Sequence, residues 1–487
     1  MMSNTLAVSV TFIIYLAGMM WIGLWAYRRT TDLSDYILGG RSLGAWPSAL
    51  SAGASDMSGW LLLGLPGAIY ASGMGEAWIA VGLLAGTYLN WLIVAPRLRA
   101  YSQAASDSLT LPQYFSNRFE DKVAIRAISA FFILLFFLFY TSSGLVAGGK
   151  LFETVFGWDY TIAVTIGTIM VVSYTLFGGY LAVSWTDLVQ GLLMAAALII
   201  VPVFALMVIG DGPTAVLEAK NPNLVSMFTN ADGSSLGLIA IISSLAWGLG
   251  YFGQPHILAR FKGIKDRNEV KRARRIAVTW TFLGMAGALL VGIAGIGYFE
   301  TGLPDGETVF ISLVQALFHP LVAGILLAAI LAAIMSTADS QLLVSSSALT
   351  EDFYKSIFNK DADPASLIKI GRGAVVLIAV VAWFFALDDD SSVLSLVSYA
   401  WAGFGAAFGP AVILSLYWNR MNRVGCIAGI LVGGITVVVW KQLTGGIFDM
   451  YEIVPGFLFS AIAVYVGSVA SAEPSKEMHA TFQEVNG

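Results

Sequence analysis

Apolar runs of about 20 residues recur from one end of this chain to the other, each long enough as a helix to cross roughly 30 Å of hydrocarbon. Of its 487 residues, 57% are hydrophobic and 12% charged, and the mean hydropathy is +0.77. A soluble fold would have to wrap one very large core in very little polar surface, so the composition specifies an all-α integral membrane protein. Thirteen spans are expected, near residues 5–26, 46–71, 75–96, 126–149, 159–178, 185–209, 236–256, 276–298, 320–345, 371–387, 393–417, 424–440 and 454–471. No positive charge precedes the first span and Arg28 and Arg29 follow it, so it reads as a retained helix and not a cleaved leader.

With the N-terminus outside, the loops assigned to the cytoplasm collect Arg97, Arg99, the run Arg260 to Arg275, Lys355, Lys360, Arg420 and Arg423. Only Lys150, Lys220 and Lys441 of the 26 basic residues then lie outside, a strong positive-inside bias that puts the C-terminus in the cytoplasm. The longest loops, near 210–236, 97–125 and 257–275, leave no room for a separate soluble module such as a kinase. The net charge of −5 comes from scattered loop acids, and no basic tract suggests nucleic acid. Cys426 is single, which rules out an internal disulfide or a cysteine metal cluster. The tail from Ser471 is short and polar and reads as a disordered end.

The second span is interrupted by SAGASDMSGW, residues 51–60, with an aspartate, three serines and two glycines. A carboxylate near mid-bilayer costs roughly 2.5–3.5 kcal/mol on insertion scales, so Asp56 needs a partner, and a cation is the natural one. A second glycine-rich interruption, SLAWGLGYFGQP at 244–255, begins about 190 residues later, five spans on. An odd offset makes the two units antiparallel, as in transporters whose broken helices meet near the midplane. The plan is one domain, 1–487, with repeats at 46–209 and 236–417 and two flanking helices plus a short tail at 418–487. Glycines that only allow close helix packing are the alternative. In the ninth span, Ser336, Thr337, Asp339 and Ser340 follow a long apolar run. Their hydroxyls, with carbonyls freed by the helix break, could form a sodium cage, or could simply bond back to the preceding turn.

The stretches DYILGGRSLG, ALSAGASDMSGWLLLGLPGA, LAVSWTDLVQ, WGLGYFGQPHILARF, GILLAAILAAIMST and VSYAWAGFGAAFGP closely resemble the sodium/solute symporter family, in particular its proline-carrying members. That resemblance implies a leucine-transporter-type core of five plus five helices, residence in a bacterial inner membrane, L-proline as solute and co-transported sodium, with no organic cofactor and no obligate protein partner. It implies a sodium site made of the carbonyls of Ala54, Met57 and Ala333 and the hydroxyls of Ser336 and Thr337, with Asp56 acting directly or indirectly. Ser58, Gly59, Trp60, Tyr140, Trp247 and Tyr251 are the implied substrate residues. Asp187 corresponds to an additional cation position in some members, or is a helix-start residue; Asp339 and Arg41 are candidates for a second cation or for gating. Arg41 could equally be a snorkelling anchor. His256 and His319 have no metal-ligand partner at useful spacing.

The implied activity is sodium-coupled uptake by alternating access. A symporter of another small solute (pantothenate, a short carboxylate or a sugar) shares the scaffold. A channel would not concentrate solute, and an enzyme would need a reactive constellation such as HExxH or GxSxG, neither of which is present.

Overall fold

The computed structural model describes residues 2–28, 38, 41–121, 123–176, 180–359 and 362–486. The motif DYILGGRSLG, the end of the fifth expected span, Arg29 and Lys360 lie partly or wholly outside the described residues. Among the described residues, twenty α-helices succeed one another along the chain. They are α1 (Met2–Tyr27), α2 (Ala45–Asp56), α3 (Leu65–Ser72), α4 (Ala77–Leu89), α5 (Ala95–Ala104), α6 (Leu111–Arg118), α7 (Ala124–Phe156) and α8 (Tyr160–Thr175). Next come α9 (Tyr180–Ile209), α10 (Pro213–Lys220), α11 (Leu238–Leu245), α12 (Pro255–Gly263), α13 (Glu269–Tyr298) and α14 (Val309–Leu317). The last are α15 (Pro320–Ser347), α16 (Pro364–Ala386), α17 (Val393–Tyr417), α18 (Arg423–Trp440), α19 (Ile453–Val469) and α20 (Lys476–Asn486). Among the described residues, β-structure is limited to isolated bridges, Leu43 with Ile264 and Thr229 with Ser235.

Nine helical stretches among the described residues are long and apolar enough to cross a membrane, and shorter apolar helices occupy Tyr160–Thr175, Leu238–Gly253, Gly306–Leu317 and Ile453–Val469. Boundaries follow local chemistry. Asp159, Thr110, Ser392 and Asn422 each cap a helix start by accepting from backbone N–H groups one turn in. Gly157 ends α7 in the left-handed conformation, φ +67°, which favours a residue without Cβ.

Two helices are broken in mid-course. The first is α2, which stops at Asp56; Met57 leaves helical geometry (φ −84°, ψ 78°), and a π-helical turn at Trp60–Gly64 then leads into α3. The second is α11, which tightens into a 3₁₀ segment at Ala246–Gly253 before α12. Close approach dictates the glycines there: a Cβ on Gly248 would lie 2.3 Å from the carbonyl oxygen of Gly82, so α4 and the break touch backbone to backbone. Around the breaks pack α7, α9, α15 and α17, with α18 and α19 paired outside α17.

The tail departs from expectation. Residues Lys476–Asn486 form α20, which packs on α5. Met478, Phe482 and Val485, spaced three and four apart, present one apolar stripe to the core, and Ser475 Oγ and His479 Nδ1 are hydrogen-bonded to Glu120 and Asn419. Polar composition hid a short amphipathic helix.

Candidate ion and solute site

The break after α2 lies against α15, and backbone groups freed by the break are met by side chains. Ser336 Oγ lies 2.8 Å from the carbonyl oxygen of Ala54 and 3.2 Å from that of Ala333, and Thr337 Oγ1 donates to Ala54 O at 3.2 Å. Four of the five residues named from sequence for sodium thus meet at one point, with Met57 opening the break beside them. These are hard, neutral oxygens, the donor set suited to an alkali cation. Both hydroxyls are within donating distance of the carbonyl that a cation would need, so a cation held there would require them to turn.

Asp56 sits at the last turn of α2 and is buried. Its carbonyl oxygen accepts from Tyr140 Oη at 2.6 Å, from the N–H of Ser58 at 3.0 Å and from Trp60 Nε1 at 3.1 Å, so the carbonyl at the break is fully satisfied. Its carboxylate accepts from Tyr251 Oη at 2.7 Å through Oδ2, while Oδ1 has no partner among the described residues. The backbone of Tyr251 is in turn held by Asn90 Nδ2, 2.9 Å from its carbonyl oxygen, a polar contact from α4's end that sequence gave no reason to single out. Asp56 therefore ties the two breaks together across 195 residues of sequence.

The aromatic candidates cluster. Trp60 and Trp247 lie 6.3 Å apart by ring centroids, Tyr451 packs on Trp247 at 5.5 Å, and Trp401 stands edge-on to Tyr251 at 5.0 Å. Trp401 Nε1 donates to Trp247 O at 2.7 Å, and a Cβ on Gly250 would sit 1.9 Å from that nitrogen. Only about 10 Å³ remains in the cavity beside Asp56 and Tyr251, room for one water, and Trp60, Tyr140, Trp247 and Tyr251 are all buried. Ser58 Oγ is buried without a partner among the described residues, and Gly59 abuts Ala147. The centre is closed in this conformation.

Asp187 is not a helix-start residue. It lies in the third turn of α9, fully buried, where Oδ2 accepts from Ser51 Oγ at 2.6 Å and faces Arg260 Nη2 at 3.3 Å. Arg260 also donates to Ser340 Oγ at 2.6 Å, to Ser51 Oγ at 3.0 Å and to His256 O at 3.0 Å. Arg260 reads in the sequence as the first base of a loop run, yet its side chain is 0% exposed and joins α2, α9, α12 and α15. Asp339 turns the other way, into a small cavity bounded by Met20, Tyr174 and Val183, with Oδ2 unpartnered among the described residues. It does not join the hydroxyl cluster at Ala54.

Both ends of the bundle are closed by charged contacts. Arg41, held at φ +53°, pairs with Asp107 at 2.7 Å and donates to Lys262 O at 2.7 Å and Ser102 Oγ at 3.2 Å. At the other end Lys150 pairs with Asp305 at 2.6 Å and Glu307 at 2.9 Å, and Glu307 accepts from the N–H groups of Val393 and Leu394 at the start of α17. The second cluster escaped sequence reasoning because Lys150 lies over 150 positions from the acids that it meets.

Residues 36–433 match the model of the sodium:solute symporter family. The sodium/proline symporter of Escherichia coli (strain K12) is 50% identical over 487 residues, covering 98% of this chain and 96% of that protein. The osmoregulated proline transporter of Bacillus subtilis (strain 168) is 49% identical over 478 residues, covering 96% of each. Among solved structures, a substrate-bound, outward-open Na+-coupled sialic acid symporter superposes with a TM-score of 0.79 at 19% identity, over 96% of this chain and 98% of that one. A closed nucleobase-cation-symport-1 family transporter gives 0.58 at 14% identity, over 93% and 99%. At such identities the two structures speak for the fold alone.

Proposed function

The chain belongs to the sodium:solute symporter family, and from that premise we propose that it couples inward sodium movement to uptake of L-proline by alternating access. Sodium binds at the carbonyls of Ala54, Met57 and Ala333 and the hydroxyls of Ser336 and Thr337, with Asp56 setting the local charge. Proline lies against Tyr140, Trp247 and Tyr251, beside Ser58, Gly59 and Trp60. The observation that carries this reading is the convergence of Ser336 and Thr337 on the Ala54 carbonyl across the break, 282 and 283 positions apart in sequence.

The wider frame is proposed with it: thirteen crossings of a bacterial plasma membrane, a five-plus-five inverted-repeat core over 46–209 and 236–417, the N-terminus outside and the C-terminus in the cytoplasm. The ends closed by Arg41 and by Lys150 are then the inner and outer gates. Sodium draws the hydroxyls of α15 from the Ala54 carbonyl, fixes the first break, and through Asp56 and Tyr251 positions the second for solute. One charge moving down 100 mV supplies about 2.3 kcal/mol, sufficient for roughly fiftyfold accumulation. Coupling is reciprocal: if sodium tightens proline binding, proline tightens sodium binding by the same factor.

The test is uptake of radiolabelled L-proline by proteoliposomes holding only this protein, under an inward sodium gradient and in equal external potassium. Saturable accumulation above equilibrium with sodium alone is expected. Equal uptake in potassium would overturn the coupling. No proline uptake, together with sodium-driven uptake of pantothenate, a short carboxylate or a sugar, would overturn the solute.

A further inference from the structure

At the end of the bundle that holds Arg41, a polar cavity of about 360 Å³ opens between α6, the start of α7 and the π-helical segment Ala348–Lys355 that continues α15. It is distinct from the central site. Nearby, Thr110 Oγ1 donates to Asp352 Oδ1 at 2.9 Å, and both residues line a small crevice bounded also by Leu111, Pro255, Leu343 and Arg260. Thr110 also accepts from the N–H of Gln113, which faces the polar cavity, and Glu351 adjoins Asp352 on the same wall.

The charges lining this cavity are unequally used. Asp121 is spoken for, since it pairs with Arg423 at 2.5 Å and accepts from the N–H of Ile125 at 2.9 Å. Arg126 gives Nε to Ser116 Oγ at 3.2 Å, and its two terminal nitrogens bond nothing among the described residues. Glu351 Oε2 meets Lys355 at 3.2 Å, while Oε1 is buried with no partner among the described residues. A guanidinium edge and a carboxylate oxygen thus stand unsatisfied in one hydrophilic space. An anion alone would be repelled by Asp121 and Glu351, and a cation alone by Arg126 and Lys355. A small molecule carrying both a carboxylate and an ammonium satisfies both, because a guanidinium edge takes a carboxylate in bidentate fashion and Glu351 Oε1 accepts from an ammonium.

We propose that this cavity is a second, weak binding site for a small zwitterion of the amino-acid class, entered from the solvent at the basic end. Solute leaving the centre crosses the Thr110–Asp352 contact into it, and solute already present on that side occupies it and slows further release. The choice of probe rests on the proline reading, and the assay separates the two.

Binding of radiolabelled L-proline to the intact protein in nanodiscs is measured with and without sodium. Two components are expected: a tight one that requires sodium, and a weak one, roughly millimolar, that does not. Trp247→Ala weakens the first and spares the second. Arg126→Gln and Glu351→Gln each weaken the second about tenfold, and Arg126→Lys, which keeps the cation but loses the bidentate fork, falls between the parent and Arg126→Gln, separating lost charge from a damaged fold. Absence of a sodium-independent component in the parent protein, or indifference of that component to both Arg126→Gln and Glu351→Gln, overturns the site. Absence of the sodium-dependent component alone overturns the proline reading and leaves the cavity site standing.

Discussion

Replacing Thr337 with valine separates the role of its hydroxyl from the role of its shape. In the structure the hydroxyl makes one hydrogen bond, to Ala54 O at 3.2 Å, and the same carbonyl is served by Ser336 at 2.8 Å. The carbonyl therefore stays satisfied, and the cost to the fold is that of one ordinary hydrogen bond, about 1 kcal/mol or less. At the proposed sodium site the lost oxygen would be one of five ligands to a full charge, a contact class worth about 1.5–3 kcal/mol. At 1.4 kcal/mol per tenfold, sodium affinity should fall roughly 10- to 100-fold while thermal stability scarcely moves. Linkage adds a second signature: at low sodium the apparent proline affinity falls too, and saturating sodium restores it. The assay is proline uptake by proteoliposomes across a sodium series, with a thermal melt of the same protein. A sodium half-saturation within twofold of the parent's, in protein that folds normally, would sink the ligand assignment. Ser336→Ala and the double variant complete a cycle, and a coupling near zero between the two hydroxyls would refute their sharing one ion.

Other perturbations follow from the packing and the gates. Gly250→Ala drives a methyl into Trp401 Nε1, now 1.9 Å from that position, and breaks its bond to Trp247 O; overpacking of about 1–3 kcal/mol should lower the melting temperature and abolish uptake, and a normal melt would contradict the closeness of this contact. Arg41→Gln removes the Asp107 pair and loosens the Lys262 contact, so a reporter thiol, Val344→Cys in a Cys426→Ser background, should be alkylated about three- to tenfold faster; an unchanged rate would deny Arg41 a gating role. Phe482→Ala strips one of three aromatic rings from the buried guanidinium of Arg118, 5.7 Å away, and should destabilise the protein by about 1–2 kcal/mol in a thermal melt, whereas a wild-type melt would make α20 a bystander.

Much of this architecture is legible in sequence because lipid imposes a simple code. Apolar length gives the helices, and glycine clusters with a carboxylate give the two breaks. The hydroxyls of α15 were visible as polar residues in an apolar run, although their convergence on Ala54 needed the fold. The aromatic positions were legible only by resemblance, since an aromatic in so apolar a chain ordinarily means packing. Arg260 was misleading because charge in a loop run reads as solvated, whereas here the chain turns back and buries it against Asp187 and Ser340. Lys150 and Glu307 carried no signal at all: a pair that far apart is invisible until the helices are placed. The tail's stripe of Met478, Phe482 and Val485 was in plain view and outweighed by its polar neighbours.

Three of the residues that would grip the ion, Ala333, Ser336 and Thr337, and two that line the polar cavity, Glu351 and Lys355, ride on one uninterrupted rod, since helix runs without a break from Pro320 through the π-helical segment to Lys355. From Thr337 to Lys355 is about 27 Å at 1.5 Å per residue. A tilt of only 5° about the hydroxyls would swing the far tip by about 2.4 Å, comparable to the length of a hydrogen bond and enough to part Asp352 from Thr110. The molecule needs no chain of relayed side-chain shifts between ion and exit, because a lever already joins them.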